Sequence, residues 1–568
     1  MASKQTELRV VIFSGGDVSY ISRLIHRIHA EVPEARVCGV LTERRPGKAA
    51  SKRVSSFLKN LRNPAFLGYV GLRLLTAQKE QAAKIGASLL RFVHGGRPPA
   101  KPVETLECPI HMTTDYHGQD SLEFVRSLNA DLGIVYGTRI LKPVLFSIPR
   151  LGSINIHKRK VPDYRGGGPV GLWELLDGQS EIGVTVHEVT EKLDAGAVVN
   201  SGTIPIEPFD NLTSLALKAH VVGNDLLVQS VADYARGTLR LRPQAGTGRM
   251  FKSPTPQRLA QYQKDLAVRR CAFRPASGRS ATKLLLKTAL SLPGVTIHNW
   301  QCRRRGSFPV VILFHHLVSD RPHRMGISTA HFLKHVEFLQ KYYQVVSLGD
   351  AIEMLRTNNV KAPTVVLTFD DGYRDNFINL RAVVEHTGVP VTFFVSTDHI
   401  SVGTEFQHDI GAQFRGFPPL TWDQLQQLQK QGFEVGSHTR THFNCGSDNR
   451  MDLHAEIVGS KDDLEIQLGT AIKYFSFPYG LPENISAEAL NVAARTYPYI
   501  FSAFGGSNTA IQPDGELKHL KRVCHCAHLW SLELQIQGVL EKEPAFVGLT
   551  QQRDLSPTIH TIMSKPAE

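Results

Sequence analysis

The sequence predicts two α/β domains in tandem, the first built on a doubly wound sheet. Three observations lead there. Apolar strand-like runs alternate with helical patterns over the first 200 residues, the pattern decays after about Gly248, and strands resume from Phe308. A chain of 568 residues also exceeds one core at roughly 100 to 200 residues per domain. With 42 % hydrophobic and 21 % charged residues, it has neither a disordered nor a collagen-like composition.

In order along the chain, Arg9–Phe13 (RVVIF) is a continuous apolar run followed by Ser14, Gly15 and Gly16 and by a helical pattern from Val18 to Ile28. That is a buried parallel strand, a glycine turn and a helix. Val37–Leu41 is a second strand, Ser121–Leu128 a helix and Asp131–Tyr136 a third strand. Two helix-like segments, Ala50–Leu61 and Pro64–Ala77, interrupt the alternation and have the character of an insertion. Beyond Gly248 lies a linker with one short helix, Ala281–Leu292. VVILF, TVVLTF, VTFFV, FEVGS and YFSFP then supply the strands of the second domain, which ends near Lys542 before a tail rich in Ser, Thr and Pro. The expected boundaries are 1–250, a linker at 251–306, a second domain at 307–545 and a tail at 546–568.

The net charge of +13 suggests a polyanion partner until it is located. Arg44–Lys79 holds nine basic residues and no acid, and Ala267–Arg305 holds another nine and no acid. Removing these 18 from the 65 basic residues leaves 47 against 52 acidic ones, a net of −5. Nucleic acid is not expected as a partner, since no recognition motif and few aromatics accompany the charge. The basic patches fit a solvated linker and insertion, or alternatively an anionic membrane surface or a phosphate-bearing substrate. Seven scattered cysteines suit a reducing cytosol. The start, MASKQTELRVVIF, lacks the apolar core of a signal peptide, so the expected location is cytoplasmic, with peripheral contact at the inner membrane face left open.

The run Leu151–Val199 carries the first set of chemical groups. Gly152–Ile156 reads as a strand whose end lets Asn155 and His157 reach one cleft. N-x-H is followed by P-x-Y-R-G (Pro162, Tyr164, Arg165, Gly166), then G-V-T-x-H, then D-x-G at Asp194. This set resembles the formyltransferase family over about residues 8–260. The resemblance implies a Rossmann-like fold, 10-formyltetrahydrofolate as the one-carbon donor and an amine as acceptor. It also implies Asn155, His157 and Asp194 as catalytic residues. Attack by a neutral amine places negative charge on the formyl oxygen. The Asn155 amide and a protonated His157 are suited to stabilise it, with Asp194 supporting the imidazolium. Where the family has a small polar residue and a leucine pair after the histidine, this chain has Lys158, Arg159 and Lys160 before Val161 and Pro162, which points to a more basic acceptor pocket.

The second set begins at an apolar strand ending in the paired carboxylates Asp370 and Asp371. His438 and His442 follow in GSHTRTH, and FSFPYG comes later. Together they resemble the polysaccharide deacetylase family (NodB homology) over about residues 307–540, which implies a distorted β/α barrel. By that resemblance Asp371, His438 and His442 hold a divalent metal, zinc being the expected ion, and Asp370 is the general base. Pro478 and Tyr479 match the loop that helps form the oxyanion site, and Arg522 the arginine that buttresses the base. His519, His525 and His528 lack a clear motif context for the general acid. The opening VVILFHHLVSD resembles that of a permuted subgroup, which makes His315 the expected acid and His316 its alternate.

The expected protein is therefore a bifunctional enzyme. It transfers formyl to an amine, an amino sugar first, and hydrolyses an N-acyl amide with acetyl or formyl as the leaving group. Its substrate is a small molecule or glycan, and phosphate- or lipid-bearing substrates remain open. Two other readings stand beside it: a deformylase paired with a transient formyl tag, and a membrane- or polyanion-binding protein with one catalytically inactive domain. The oligomeric state is not legible.

Overall fold

Leu8–Ser14 (β1) is buried at every position except Arg9, as a central parallel strand requires. Its side chains alternate between two layers. Val10 and Ile12 join one cluster with Ile21, Leu24 and Ile28 of the helix Val18–Glu31, while Val11 and Phe13 join another with Leu122 and Val125 of the helix Gln119–Ser127. In the computed structural model, residues 7–15, 18–43, 106–271, 281–446, 449–509, 519–525 and 528–539 are described. The expected insertion Arg44–Lys79, with its two helices, and the tail 546–568 lie outside them. Two compact units divide the described residues, one up to Ala267 and one from Val268.

The first unit adds Ala35–Glu43 (β2), Ile110–Thr113 (β3), Leu132–Tyr136 (β4), Ser153–His157 (β5), Tyr164–Gly166 (β6), Glu181–Glu188 (β7), Val198–Pro205 (β8) and Arg249–Phe251 (β9). Seven of these strands form one sheet in the order β3-β2-β1-β4-β5-β7-β8. It is parallel from β3 to β5 and antiparallel at β7 and β8. The chain order reverses between β1 and β4, and a crevice opens at such a switch point beyond the carboxyl ends of the strands. Asn155 and His157 sit at that end of β5. The long helix Leu212–Arg236 packs across the sheet, started by an Asn211–Ser214 capping box and stopped by left-handed Gly237.

The second unit holds Val310–His315 (β10), Leu317–Val318 (β11), Gly326–Ile327 (β12), Gln344–Val345 (β13), Thr364–Phe369 (β14), Thr392–Val395 (β15), Glu434–Ser437 (β16), Tyr474–Ser476 (β17), Tyr499–Ser502 (β18) and His519–Cys524 (β19). Seven parallel strands close on themselves in the order β10-β19-β18-β17-β16-β15-β14, with β14 pairing back to β10. This is the expected β/α barrel, one strand short of the usual eight. Closure removes the sheet edges, and Phe369, Phe393, Phe394, Phe475 and Phe501 are buried in the wall and core.

The stretch expected to be a linker is largely helical. Pro256–Cys271 is one helix, and the short apolar helix expected at 281–292 runs on through Pro293 to Arg305. Its far end enters the barrel core at Cys302, directly before β10. Packing of that end overrides the proline, whose missing N–H would otherwise end the helix.

Candidate functional sites at the strand ends

In the first unit, Asn155 and His157 are two residues apart on β5 and so share a face. Asn155 Nδ2 donates to His187 Nε2 at 3.2 Å, and His187 Nδ1 donates to the Glu188 carbonyl at 2.8 Å. His157 Nε2 donates to the Tyr164 carbonyl at 2.8 Å, which leaves Nδ1 as the lone-pair nitrogen. Asp194 Oδ1 lies 3.7 Å from both His157 Nδ1 and His187 Nε2. Burial pushes the His157 imidazole below its ordinary value more than Asp194 raises it. His157 therefore rests neutral near pH 7 and not as the expected imidazolium: it can accept a proton but does not bring one. Burial raises the Asp194 carboxyl, but the His187 and His157 imidazoles and the Gly166 N–H more than reverse this, so it stays ionised.

The P-x-Y-R-G run shapes this site through its backbone and its outer side chains. Pro162 follows a cis peptide. The Tyr164 carbonyl fixes His157, while the Tyr164 hydroxyl donates to Asp177 at 3.0 Å. The Gly166 N–H donates to Asp194 Oδ2 at 2.9 Å. Arg165 donates to Gln244 at 2.6 Å, and Gln244 in turn donates to the Asp194 and Gly196 carbonyls. Gly196 of the D-x-G run is required by close approach, because a Cβ there would lie 1.9 Å from the Glu188 carbonyl oxygen. Of the three basic residues after His157, Arg159 is buried and donates to the Gly167 and Pro169 carbonyls, and Lys160 is exposed. Lys158 Nζ lies 3.3 Å from His220 Nδ1, and burial pushes its ammonium down to about 8. His187 was legible only as the last letter of G-V-T-x-H.

In the second unit the groups gather at the carboxyl ends of the barrel strands. Asp370 and Asp371 follow β14, His438 follows β16 and His442 lies four residues on. Ligand atoms of Asp371, His438 and His442 all fall within 4.8 Å of one another. His442 Nε2 is 3.2 Å and His438 Nε2 3.6 Å from Asp371 Oδ1. His438 Nδ1 donates to the Ser476 carbonyl at 2.7 Å, which turns the Nε2 lone pair toward Asp371. Burial pushes His438 down to about 4, so it is a neutral imidazole, the form that ligates a cation. Neither oxygen of the buried Asp371 carboxylate receives a hydrogen bond. Burial raises this carboxyl, but His442 and its neighbours bring it well below the usual range. A buried, ionised carboxylate facing the His442 and His438 ring nitrogens at 3.2 and 3.6 Å fits a divalent cation.

Asp370 is arranged differently. Arg522, 1 % exposed on β19, donates from Nη1 to Asp370 Oδ1 at 2.6 Å and from Nη2 to Oδ2 at 2.8 Å. The same guanidinium reaches Thr368 and Ser476 and lies between the Phe314 and Phe394 rings. Burial raises the Asp370 carboxyl, and Arg522 and then His438 bring it below its ordinary value. Tyr479, half exposed at φ +61°, sets its ring 4.8 Å from that of His442, and the preceding Pro478 carbonyl accepts from Gly480 N. Asp371, Thr439 and His442 also adopt positive φ, strain that the packed barrel mouth sustains.

His315 and His316 part company. His315 is buried, stacks on Phe369 and contacts Phe332 and His525, and its Nδ1 accepts the His316 and Leu317 N–H groups. Burial pushes it well below its ordinary value, and neither Asp370 nor Asp371 is among the charges acting on it. That corrects the expectation of His315 as the acid, since a buried neutral imidazole turned into the wall has no proton to give the pocket. His316 is half-buried and is among the neighbours that lower Asp370, Asp371 and His408. Among the C-terminal histidines, His525 pairs with His335 and His519 with Ser502, neither of them at the carboxylates. Sequence reasoning missed His408. Its Nε2 lies 3.7 Å from Asp371 Oδ2 and 2.9 Å from the Tyr373 hydroxyl, which donates to Asp409 at 2.6 Å. It comes from the short helix Gln407–Gly411, which carries no motif, and only the fold brings it in.

Comparison with known proteins finds two families along the chain. The family model described as Formyl transferase matches residues 76–231, and the one described as Polysaccharide deacetylase matches residues 357–497. Methionyl-tRNA formyltransferases of Staphylococcus aureus strains JH1 and Newman are 34 % identical over 159 residues, which is 28 % of this chain and 50 % of theirs. The chain thus spans about half the length of these curated relatives. Among solved structures, the Streptococcus pyogenes deacetylase PplD in complex with acetate is similar at 22 % identity over 38 % of this chain and 92 % of that one, with a TM-score of 0.33. A sugar N-formyltransferase from a Shewanella species is similar at 13 % identity over 45 % and 87 %, with a TM-score of 0.29. The chain carries a formyl transferase domain followed by a polysaccharide deacetylase domain.

Proposed function

We propose that the protein is a cytosolic bifunctional enzyme that removes an N-acyl group from an amino sugar and places formyl, from 10-formyltetrahydrofolate, on an amine of the same substrate class. One observation supports this reading: a single chain brings Asn155, His157 and Asp194 together at one strand end and Asp370, Asp371, His438 and His442 together at another. Hydrolysis of an N-acyl sugar yields the kind of nucleophile that formyl transfer consumes.

In the transferase, the Asn155 amide faces the developing formyl oxyanion. His157 Nδ1 takes the proton released as the amine attacks, Asp194, 3.7 Å away, stabilises the resulting imidazolium, and the same proton passes to the folate nitrogen as its bond to the formyl carbon breaks. In the hydrolase, Asp371, His438 and His442 would hold a divalent cation, zinc by donor type, which supplies Lewis acidity to a bound water and carbonyl. Asp370 takes the proton of the attacking water, and the two Arg522 bonds fix its orientation. His316 gives a proton to the departing nitrogen. His316→Ala is expected to slow amide hydrolysis about 10²-fold or more while sparing an aryl acetate, whose leaving group needs no proton. Equal loss on both substrates refutes the acid role.

The decisive experiment incubates purified protein with a panel of N-acetyl and N-formyl amino sugars, formyl donor present or absent, and reads products by mass spectrometry. Chelation should stop hydrolysis and leave formyl transfer intact, with restoration by zinc. No deacylated and no formylated product across the panel refutes the proposal.

A further inference from the structure

The helix Ala281–Arg305 has two apolar faces, and its own domain uses one. On that side Leu292 packs with Leu534 and Trp530, Thr288 accepts from Trp530 Nε1 at 3.1 Å and Asn299 donates to Gln537 at 3.1 Å. The other side carries Leu286, Leu290, Ile297 and Trp300, exposed by 61, 74, 56 and 50 %. At 100° per residue these four fall within an arc of about 80°, a continuous stripe and not scattered residues. The charge along this segment has one sign. From Ala267 to Arg305 there are nine basic residues and no acid, and three of the nine, Arg303, Arg304 and Arg305, end the helix. The Arg304 guanidinium lies over the Trp300 ring, 4.4 Å from its centroid, which places an aromatic beside a cation at the end of the stripe.

We propose that this face docks on an anionic lipid surface. The helix lies in the membrane plane with Leu286, Leu290, Ile297 and Trp300 at the acyl boundary and Arg303–Arg305 against the headgroups. No described helix is long and apolar enough to cross a membrane, and this arrangement needs none. Charge decides between occupants. The chain's other acid-free stretch, Arg44–Lys79, is equally basic and repels this helix, and a second copy would bring a helix of the same sign. An anionic bilayer complements both the stripe and the charge. None of its residues belongs to either constellation, so its test does not depend on activity.

The test floats the full-length protein with vesicles of phosphatidylcholine, alone or with ~25 % phosphatidylglycerol. Binding is expected to be about tenfold stronger on the anionic vesicles and to weaken with salt. Leu290→Glu with Ile297→Glu should lower it about tenfold on anionic vesicles, and Arg303→Gln with Arg304→Gln and Arg305→Gln should remove the preference for phosphatidylglycerol. Both sites of change are solvent-facing, so an unchanged unfolding midpoint by circular dichroism is expected for each. Three results overturn the proposal: no preference of the wild-type chain for anionic vesicles, equal binding by the Leu290→Glu/Ile297→Glu variant, or a wild-type dimer that this variant converts to monomer in the absence of vesicle binding.

Discussion

Asp370→Asn is expected to lower amide hydrolysis by about 10²- to 10⁴-fold, because the group that takes the water proton is lost. It should also destabilise the second unit by about 3 to 5 kcal/mol, because Arg522 is left as a buried charge without a counterion. Both losses arise from the bidentate contact at 2.6 and 2.8 Å. The stability part has a predictable pH dependence. The folded-state carboxyl of Asp370 lies below its ordinary value, so its contribution is fully present above the unfolded value and disappears as pH falls through the folded one. The difference between wild type and Asp370→Asn should therefore be constant from pH 5 to 8 and shrink below about pH 4. Denaturant titration at three pH values, with zinc content measured in parallel, checks it. A variant that keeps full hydrolytic rate rules out Asp370 as the base.

Asn155→Ala should reduce formyl transfer by about 10²- to 10³-fold, through kcat more than KM, while hydrolysis stays unchanged. The amide donates to His187 in the resting site and is the side-chain donor on the β5 face that carries His157. Removing it withdraws stabilisation that counts most once the formyl oxygen is charged. The same assay on Asp371→Ala should show the converse, with hydrolysis abolished and transfer retained. Loss of both activities in either variant means that the two units do not act independently. A drop confined to KM means that Asn155 binds substrate without stabilising the transition state.

Much of this site was legible beforehand because the groups that do the chemistry are short-range features. Asp370 and Asp371 end an apolar strand, and His438 and His442 sit four residues apart after another, so strand periodicity alone delivers them to the same end of a parallel sheet. Asn155 and His157 share a strand face for the same reason. Arg522 could be guessed only from a resemblance, and the contact that assigns it spans 152 residues. His315 and His316 were indistinguishable as neighbours in sequence. Only the folded chain separates them, because Phe369, Phe332 and His525 enclose the first while the second stays half-buried.

The protonation state of His157 was likewise out of reach, because burial and Asp194 act in opposite directions and only their balance in the folded chain is decisive. The linker helix carries the same lesson at larger scale. Pro293 and a fading pattern marked its end near Leu292, yet docking of Thr288, Leu292 and Asn299 on the C-terminal helix carries it through to Arg305. By itself, the sequence determined the two domains, their α/β class, nine of the described strands and most of the residues at the ends of those nine, because these follow from periodicity and local motif. The tertiary structure alone decided which of the two neighbouring histidines is enclosed in the wall, what clamps Asp370, that His408 joins the barrel mouth and which apolar face of the linker helix stays exposed. Each depends on burial and on contacts between residues far apart in the chain, which no local pattern encodes.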